Sequence, residues 1–355
     1  MKIMLITPTL NLGGAEIMVE NLANALIKLE HEVVVVSLYN FKSPITDRLE
    51  SNKVDVRYLS KKSGLDISMI WKLKKLFKEE KPDVVHSHNN AMQYAIPAAC
   101  LAGVKKRCHT VHSVAQKELG GLAKKAAKIF YKRFGVIPVA LSDAIADTIT
   151  QEYKIRKDKI PVIFNGINLE KCKPKFEYKA HIPFNILHLG RFAKEKNHTM
   201  LIRAFKQFHS IHPDTVLTLV GDGNERQTIE QTIAECGICD NVRLMGKQAD
   251  VYGFLGEADV FVLPSLYEGI PLSLIEAMGT GLPIVASKVG GIPDMVVDNE
   301  SAVLIDVDEN ALVNALVNLY EDEGLRERLG QNSLNRSNDF SSSVMAERYI
   351  DIYKL

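Results

Sequence analysis

This sequence predicts an α/β architecture of two doubly wound parallel sheets, on three observations. At 355 residues the chain exceeds the ~250–300 residues at which a single core usually stops growing, so two domains are expected. Short β-branched apolar runs alternate with helical spacings, the pattern of parallel strands covered on both faces. The alternation then restarts near residue 184.

In the first half, Lys2 to Thr7 reads as a strand, Pro8 to Gly14 as a loop, and Ala15 to Leu29 as a helix whose apolar face is Ile17, Leu22, Ala25, Leu26 and Leu29. Val33 to Leu38, Asp83 to His88, Lys106 to His112, Pro138 to Ser142 and Ile160 to Gly166 read as further strands, each ending in turn or polar residues. In the second half, Phe184 to Arg191 is a strand running into a loop and Thr199 to Ile211 is a helix. Val216 to Gly223, Asn241 to Gly246, Asp259 to Pro264 and Pro283 to Ser287 repeat the strand-and-turn pattern. The polar, aperiodic stretch Leu169 to Pro183 marks the boundary. The expected organisation is a first domain over 1–170, a second over 171–340, and a last helix over 341–355 with Met345, Tyr349 and Ile352 on one face, its serines able to cap it.

Composition narrows the class. The chain is 46% hydrophobic and 25% charged, as in ordinary globular proteins. The apolar run at the start is too short for a secretory leader, and no stretch reaches the ~18 apolar residues of a membrane span. Five scattered cysteines suggest a reducing compartment, and a cytoplasmic location follows as the expectation. Residues 1–172 hold 27 Lys/Arg against 17 Asp/Glu, and residues 173–355 hold 17 against 26. A basic first half points to an anionic surface or ligand, or to no more than solvated helices.

Ligands of parallel sheets sit beyond the carboxyl ends of the strands. His88, His112, Asn165, Arg191 and Glu268 all fall at such ends. In Tyr267 to Ser287, Pro271 suits the first position of a helix that Gly279 to Gly281 stop. The N-terminus of that helix offers unpaired N–H groups and a positive dipole end to a phosphate. Glu276 lies over a turn further in, where a carboxylate can accept two hydroxyl hydrogen bonds, as from a ribose diol. Glu268, in the turn before, can accept bonds from another polyol. The alternative is a surface helix with Ser273, Glu276 and Thr280 as its wet stripe. Arg191 and Lys196 follow a strand closely, and a guanidinium and an ammonium five residues apart can grip a diphosphate together or can be solvated loop cations. Gly13 and Gly14 let a ligand approach the backbone between the first strand and helix. A dinucleotide fingerprint and a phosphate-loop motif are both missing there.

Taken together, Gly13-Gly14, His112, Asn165-Gly166, Gly190-Arg191, Lys196 and Glu268…Glu276, each after an expected strand, resemble the retaining glycosyltransferases with two facing Rossmann-like domains and a cleft between them (the GT-B architecture), and within them glycosyltransferase family four. The resemblance covers nearly the whole chain, and its most specific piece is the E-x7-E element of Glu268 and Glu276. It implies that Gly190, Arg191 and Lys196 hold the donor diphosphate with backbone around Gly269, Ile270 and Leu272, and with Gly13 and Gly14 from the first domain. Glu276 would bind the ribose hydroxyls and Glu268 the transferred sugar. Asn241 to Gly246, with Met245, would pass beside the base, and His112 would assist at the reaction centre. The last helix would cross back onto the first domain. The implied donor is a nucleotide-diphosphate sugar, UDP-linked in the leading case. The implied acceptor is a glycan or lipid-linked glycan in surface polysaccharide assembly. Two positions depart from the pattern: Lys196 is followed by Asn197 rather than Gly, and His112 by Ser113 rather than Asp, which leaves the histidine without an identified orienting partner.

No cofactor and no metal are expected. Asp306-Val307-Asp308 reads as a solvated loop, Cys236…Cys239 lacks the second pair a zinc site needs, and His86 and His88 share one strand face without a third ligand. Lys117 to Phe134 sets Leu119, Leu122, Ala126, Ile129 and Phe130 against Lys124, Lys125, Lys128, Lys132 and Arg133. That is either a basic amphipathic helix resting on an anionic membrane or a domain helix whose apolar side is core. Nucleic acid is not expected, because no aromatic residues are interleaved for base stacking. A sugar-nucleotide epimerase on the same architecture, and a non-catalytic donor-binding subunit of a transferase complex, stay open as alternatives.

Overall fold

The computed structural model describes residues 1–355, apart from the side chains of Lys117 and Leu122. The chain divides into two units, Met1–Ile167 with Ser342–Leu355, and Asn168–Ser341. Each is built on one six-stranded sheet.

In unit 1 the strands are β1 (Lys2–Thr7), β2 (Glu32–Ser37), β3 (Asp55–Tyr58), β4 (Val84–His88), β5 (Lys106–Val111) and β6 (Val136–Ala140), in the order β3-β2-β1-β4-β5-β6. In unit 2 they are β7 (Phe184–Leu189), β8 (Thr215–Val220), β9 (Val242–Leu244), β10 (Val260–Leu263), β11 (Ile284–Ser287) and β12 (Val303–Ile305), in the order β12-β11-β10-β7-β8-β9. Every pairing is parallel. Numbered within its own unit, each sheet runs 3-2-1-4-5-6, so the winding reverses between β1 and β4, and again between β7 and β10. Such a reversal opens a crevice at the carboxyl ends of the two strands.

The expected strand over Ile160 to Gly166 does not form. Ala140 N–H donates to Pro161 O and Ile163 N–H to Ala140 O, both at 2.9 Å, leaving a single bridge at Val162. Pro161 has no N–H to extend the ladder, and the chain turns away. β3, in contrast, carries little apolar signal in the sequence. It is a four-residue edge strand whose residues alternate between exposed and half-buried.

The helix Ser342–Lys354 belongs to unit 1 and completes its core. Met345, Tyr349 and Tyr353 pack with Leu22, Leu26, Ile3 and Cys108 in one buried cluster. Burying tyrosine requires partners for its hydroxyl. Tyr353 Oη lies 2.6 Å from His86 Nδ1, Tyr349 Oη lies 2.7 Å from Thr110 Oγ1, and Thr110 Oγ1 lies 2.8 Å from His86 Nε2. A four-membered polar chain thus ties the last helix to β4 and β5. Ser342 N–H donates to Ile167 O at 2.7 Å, where the chain re-enters the unit.

Tyr349 is fully buried, so Tyr349→Ala is expected to lower the unfolding free energy of unit 1 by about 3 kcal/mol or more. Tyr349→Phe, which loses only the hydrogen bond, should cost about 1 kcal/mol. Urea unfolding followed by circular dichroism checks both, and equal losses in the two variants would contradict this account of the core.

Candidate functional site

The reversal between β7 and β10 is where unit 2 gathers its polar side chains. β7 ends at Leu189 and runs through Gly190 and Arg191 to a single 3-10 turn, Lys194–Lys196. β10 ends at Leu263 and leads through Ser265 and Glu268 into the helix Leu272–Gly279. The two loops are stitched together by hydrogen bonds onto backbone carbonyls, one from a backbone N–H and one from a side-chain amide. Leu266 N–H donates to Glu195 O at 2.8 Å, and the Asn197 amide donates to Pro264 O at 3.3 Å. Asn197 itself sits at φ 55°, ψ 40°. This is the left-handed conformation that glycine adopts freely and asparagine tolerates better than most residues, so the departure from glycine here preserves the loop.

Lys196 Nζ donates to Glu268 Oε1 at 2.6 Å, and Ser265 Oγ donates to the same oxygen at 2.6 Å. Both ends of this ion pair are largely buried. Arg191 lies at the exposed side of the loop and pairs with Glu195 at 2.6 Å. Gly190 is required sterically, since a Cβ there would lie 2.9 Å from His188 Nε2.

Pro271 precedes the helix Leu272–Gly279 in an extended conformation, φ −72°, ψ 121°. Ile270 and Leu272 are buried, and Gly269 is half-buried. Glu276 stands on the second turn, and its carboxylate has no hydrogen-bond donor among the described residues. Removal from water pushes it up to about 7. Lys171 opposes that rise and Asp250 adds to it. Beyond β9, Met245 is exposed, with its N–H on Leu219 O and its carbonyl accepting from the Gln248 amide at 2.7 Å.

Two glycine pairs hold these loops in place: Gly290 and Gly291, which the sequence reading did not single out, and Gly221 and Gly223, in the turn it placed after Val216. A Cβ on Gly290, which sits at φ 55°, would fall 1.8 Å from Glu268 O, and one on Gly291 would fall 2.3 Å from Gly269 O. A Cβ on Gly221 would meet Gly190 O at 1.9 Å, and one on Gly223 would meet Phe192 O at 2.4 Å. Each pair presses its backbone against a loop that bears a site residue. Only the three-dimensional neighbour, not the local sequence, reveals that need.

In unit 1, Gly13 and Gly14 open the helix Gly14–Lys28. A side chain on Gly14 would meet nothing within 4 Å, and one on Gly13 would meet only the flexible end of Glu16. This loop follows β1, at the other reversal. Next to it, β4 ends in His88 and His112 follows β5. His88 Nδ1 and His112 Nε2 are 3.0 Å apart, and His112 N–H reaches Glu118 Oε1 at 3.4 Å. His88 therefore orients the His112 ring, the partner that the following serine could not supply. Burial holds His88 well below the usual imidazole range and pushes His112 down to about 3, with neighbouring histidines adding to both shifts. Two neutral rings share one hydrogen bond, so one nitrogen of the pair donates and the other accepts. Asn165 is buried nearby in the chain's return toward the last helix. A pocket of about 520 Å³ opens at the ends of β1, β2 and β3, lined by Thr9, Asn11, Tyr39, Asn40, Phe41, Ser60 and Lys61.

Other motifs take plain structural roles. Asp308 caps the helix Glu309–Glu321 through Ala311 N–H at 2.8 Å. Cys236 and Cys239 are free thiols. Among the described residues no three His, Cys, Asp or Glu side chains form a metal-holding group. The stripe expected along Lys117 to Phe134 is divided. Leu119 is buried ahead of the helix Gly121–Arg133, whereas Ile129 and Phe134 are exposed, and Ala127 and Tyr131 form the inward face instead. Tyr131 seats that face, its ring 5.1 Å from that of Tyr153. The side chain of Leu122 lies outside the described residues.

These two sheets with flanking helices define a GT-B glycosyltransferase fold. Residues 12–171 match the family described as Glycosyltransferase Family 4, and residues 174–336 match Glycosyl transferases group 1. The chain is 30% identical over 310 residues to the Escherichia coli UDP-Gal:alpha-D-GlcNAc-diphosphoundecaprenol alpha-1,3-galactosyltransferase, covering 81% of this chain and 79% of that protein. It is 27% identical to a Campylobacter jejuni alpha-1,4-N-acetyl-D-galactosaminyltransferase that acts on a diNAcBac-PP-undecaprenol-linked glycan, covering 99% of this chain and 98% of that one. Among solved structures, Anabaena HepE in complex with UDP and glucose shares the fold with a TM-score of 0.87 at 20% identity, over 100% of this chain and 99% of that one. The chain belongs to the family-four glycosyltransferases and is a glycosyltransferase enzyme.

Two outcomes are expected from this geometry. Gly290→Ala should lower the thermal midpoint by about 4 °C or more, because the loop bearing Glu268 must move. Gly256→Ala, where an added Cβ meets nothing within 4 Å, should change it little. Ring-shift NMR titration should find His88 and His112 neutral at pH 5. An unfolded imidazole takes up its proton near ~6.5 and these two do not, so their contribution to stability is present above that pH and is lost as the pH falls toward the folded values. A midpoint near 6.5 for both rings would refute the burial argument.

Proposed function

We propose that this enzyme is a retaining, metal-independent transferase. It moves a sugar from a UDP-linked donor to a glycan or lipid-linked glycan in surface polysaccharide assembly. The observation that carries this reading is the buried Lys196–Glu268 pair at the β7/β10 reversal, next to a helix N-terminus. A lysine neutralised by one carboxylate, with an exposed arginine beside it, is ready to meet a dianionic diphosphate. Arg191 leaves Glu195 and Lys196 shifts toward phosphate. Glu268 is then released to accept hydroxyls of the transferred sugar, and Gly190, Gly269, Ile270 and Leu272 offer backbone to the diphosphate. Glu276 accepts the two ribose hydroxyls, and Met245 lies beside the base.

The bond from the anomeric carbon to the phosphate oxygen breaks as the acceptor oxygen bonds to that carbon on the same face, and the acceptor proton leaves with the diphosphate. The transition state resembles an oxocarbenium ion. Its cost lies in the charge growing on the diphosphate, which Arg191, Lys196 and the helix dipole stabilise. In unit 1, Gly13 and Gly14 leave the backbone after β1 open to a phosphate, and His112, oriented by His88, offers a neutral hydrogen-bonding group. The pocket bounded by Tyr39, Phe41 and Lys61 suits an acceptor sugar, with ring faces and polar edges together. Undecaprenol-linked substrates of the relatives, and the basic first half, support work at the inner face of a cytoplasmic membrane.

Thermal shift against a panel of nucleotide sugars identifies the donor, and release of nucleoside diphosphate with candidate lipid-linked acceptors then reads transfer. NMR of the product's anomeric proton tests retention, and unchanged rates in EDTA test metal independence. Lys196→Ala should reduce kcat by about 10²–10³-fold. Glu268→Ala should mainly reduce turnover, and Glu276→Ala should weaken nucleotide binding. Nucleotide affinity should fall as pH drops below about 7, where Glu276 takes up a proton, and Glu276→Gln should flatten that dependence. A new nucleotide sugar formed without acceptor would establish an epimerase instead. Donor binding without diphosphate release under any acceptor would establish a non-catalytic subunit.

A further inference from the structure

Three of the most exposed large apolar side chains of unit 1 lie in one short segment. Leu65 is 75% exposed, Ile67 62% and Trp71 59%. They stand on the loop after β3 and on the outer face of the helix Ser68–Glu80. This exposure does not reflect a loosely seated helix. Met69, Leu73 and Phe77, each four residues after the last, are fully buried in the core above the sheet with Val34, Val36 and Tyr94. The loop is also pinned. Asp66 is buried, and its carboxylate accepts from Lys62 N–H at 3.0 Å, Ser68 N–H at 3.2 Å and Ser68 Oγ at 2.5 Å. Leu65 and Ile67, on either side of it, are thereby held outward. Ile67, Trp71 and Lys75 follow one line of the helix, spaced four apart.

The charge around these side chains is predominantly positive, with Glu79, 3.8 Å from Lys75, the exposed acid at its edge. Residues 61–78 contain six lysines, and their single acid is the buried Asp66. Lys74 Nζ lies 4.8 Å from the centre of the Trp71 ring. Lys75 and Lys78 are exposed on the turns that follow. Apolar side chains with a tryptophan, ringed by lysines, match a lipid interface that carries negative headgroups. Pairing this patch with its own copy across a two-fold axis would bring six lysines against six, so an isologous dimer through it does not fit. Ser60 and Lys61, which line the 520 Å³ pocket, begin this same loop, and the Lys61 ammonium is held by Gly64 O.

We propose that unit 1 docks on an anionic membrane through Leu65–Lys78. Leu65, Ile67 and Trp71 enter the interface, and Lys62, Lys74, Lys75 and Lys78 meet the headgroups. The helix Gly121–Arg133 is not the contact. This deepens the membrane reading given above and rests on it for its purpose: a lipid-linked acceptor would reach the pocket from the surface on which the loop lies.

Trp71 is the only tryptophan in the chain, so its fluorescence reports this contact without a label. With vesicles of phosphatidylcholine containing phosphatidylglycerol, the emission should shift to the blue and be quenched by brominated acyl chains. Vesicles of phosphatidylcholine alone should give at least tenfold weaker association, and added salt should weaken the anionic case. Leu65→Glu with Ile67→Glu should reduce association with the anionic vesicles at least tenfold, whereas Lys125→Glu with Lys128→Glu should leave it within twofold. All four residues are exposed, and an unchanged thermal midpoint verifies folding. An unshifted Trp71 emission, equal binding to neutral vesicles, the opposite ranking of the two double variants, or a blue shift that follows protein concentration without lipid would each overturn the proposal. None of these measurements involves a sugar donor. Donor binding by thermal shift in the same variants therefore fails or succeeds separately.

Discussion

A parallel strand covered by helices on both faces has no place for a charge until it ends. β1, β4, β7 and β10 are buried along nearly their whole length, and apart from Lys2 and Asn185 at their amino ends the polar residues they carry lie in the middle of the strand or toward its carboxyl end. Because the winding direction reverses beside β1 and β7, no crossover helix covers the ends of the strand pairs β1/β4 and β7/β10. The glycine loop and the histidine pair of unit 1, and the lysine–glutamate pair of unit 2, occupy those uncovered positions. The same chain order in the two sheets produces the same kind of opening twice, with different chemistry in each.

Within unit 2 the electrostatics are arranged as an internal exchange. A buried ammonium without a partner is costly, and Glu268 offsets that cost for Lys196. Glu276 is in the opposite condition. It has no donor of its own among the described residues, and its proton affinity is raised by loss of water. One carboxylate is stabilised by the protein's own donors and the other is not. This asymmetry distinguishes two glutamates that the E-x7-E spacing alone presents as equals.

The periodic, uniformly apolar parts of the fold were readable from the sequence. β1 and the strands from Phe184 and Val260 declare themselves by runs of β-branched and apolar residues. Edge pieces did not, because their signal is set by context: Asp55–Tyr58 is a strand despite alternating exposure, and Ile160–Gly166 is not one despite an apolar composition. The site residues could be proposed from their positions after strands, but their pairings could not. Lys196 and Glu268 are 72 positions apart, and nothing local joins them. Gly290 and Gly291 are constrained by the carbonyls of Glu268 and Gly269, and His88 matters because β4 and β5 lie side by side. The basic stripe over Lys117 to Phe134 looked continuous on a helical projection. Tyr131 turned it by packing against Tyr153.

The return of residues 342–355 to unit 1 makes unit 2 an insertion within it. A ribosome working from the amino end completes every strand of the first sheet long before it makes the segment that covers one side of it. Until then the surface meant for Met345, Tyr349 and Tyr353 faces water, and His86 and Thr110 lack their phenolic partners. At ~5–20 residues per second this interval lasts roughly ten to forty seconds, during which the second sheet can form but the first cannot finish. A nascent chain of this kind carries an unsealed apolar surface through most of its synthesis, and its final turns act as the closing piece of the part that was begun first.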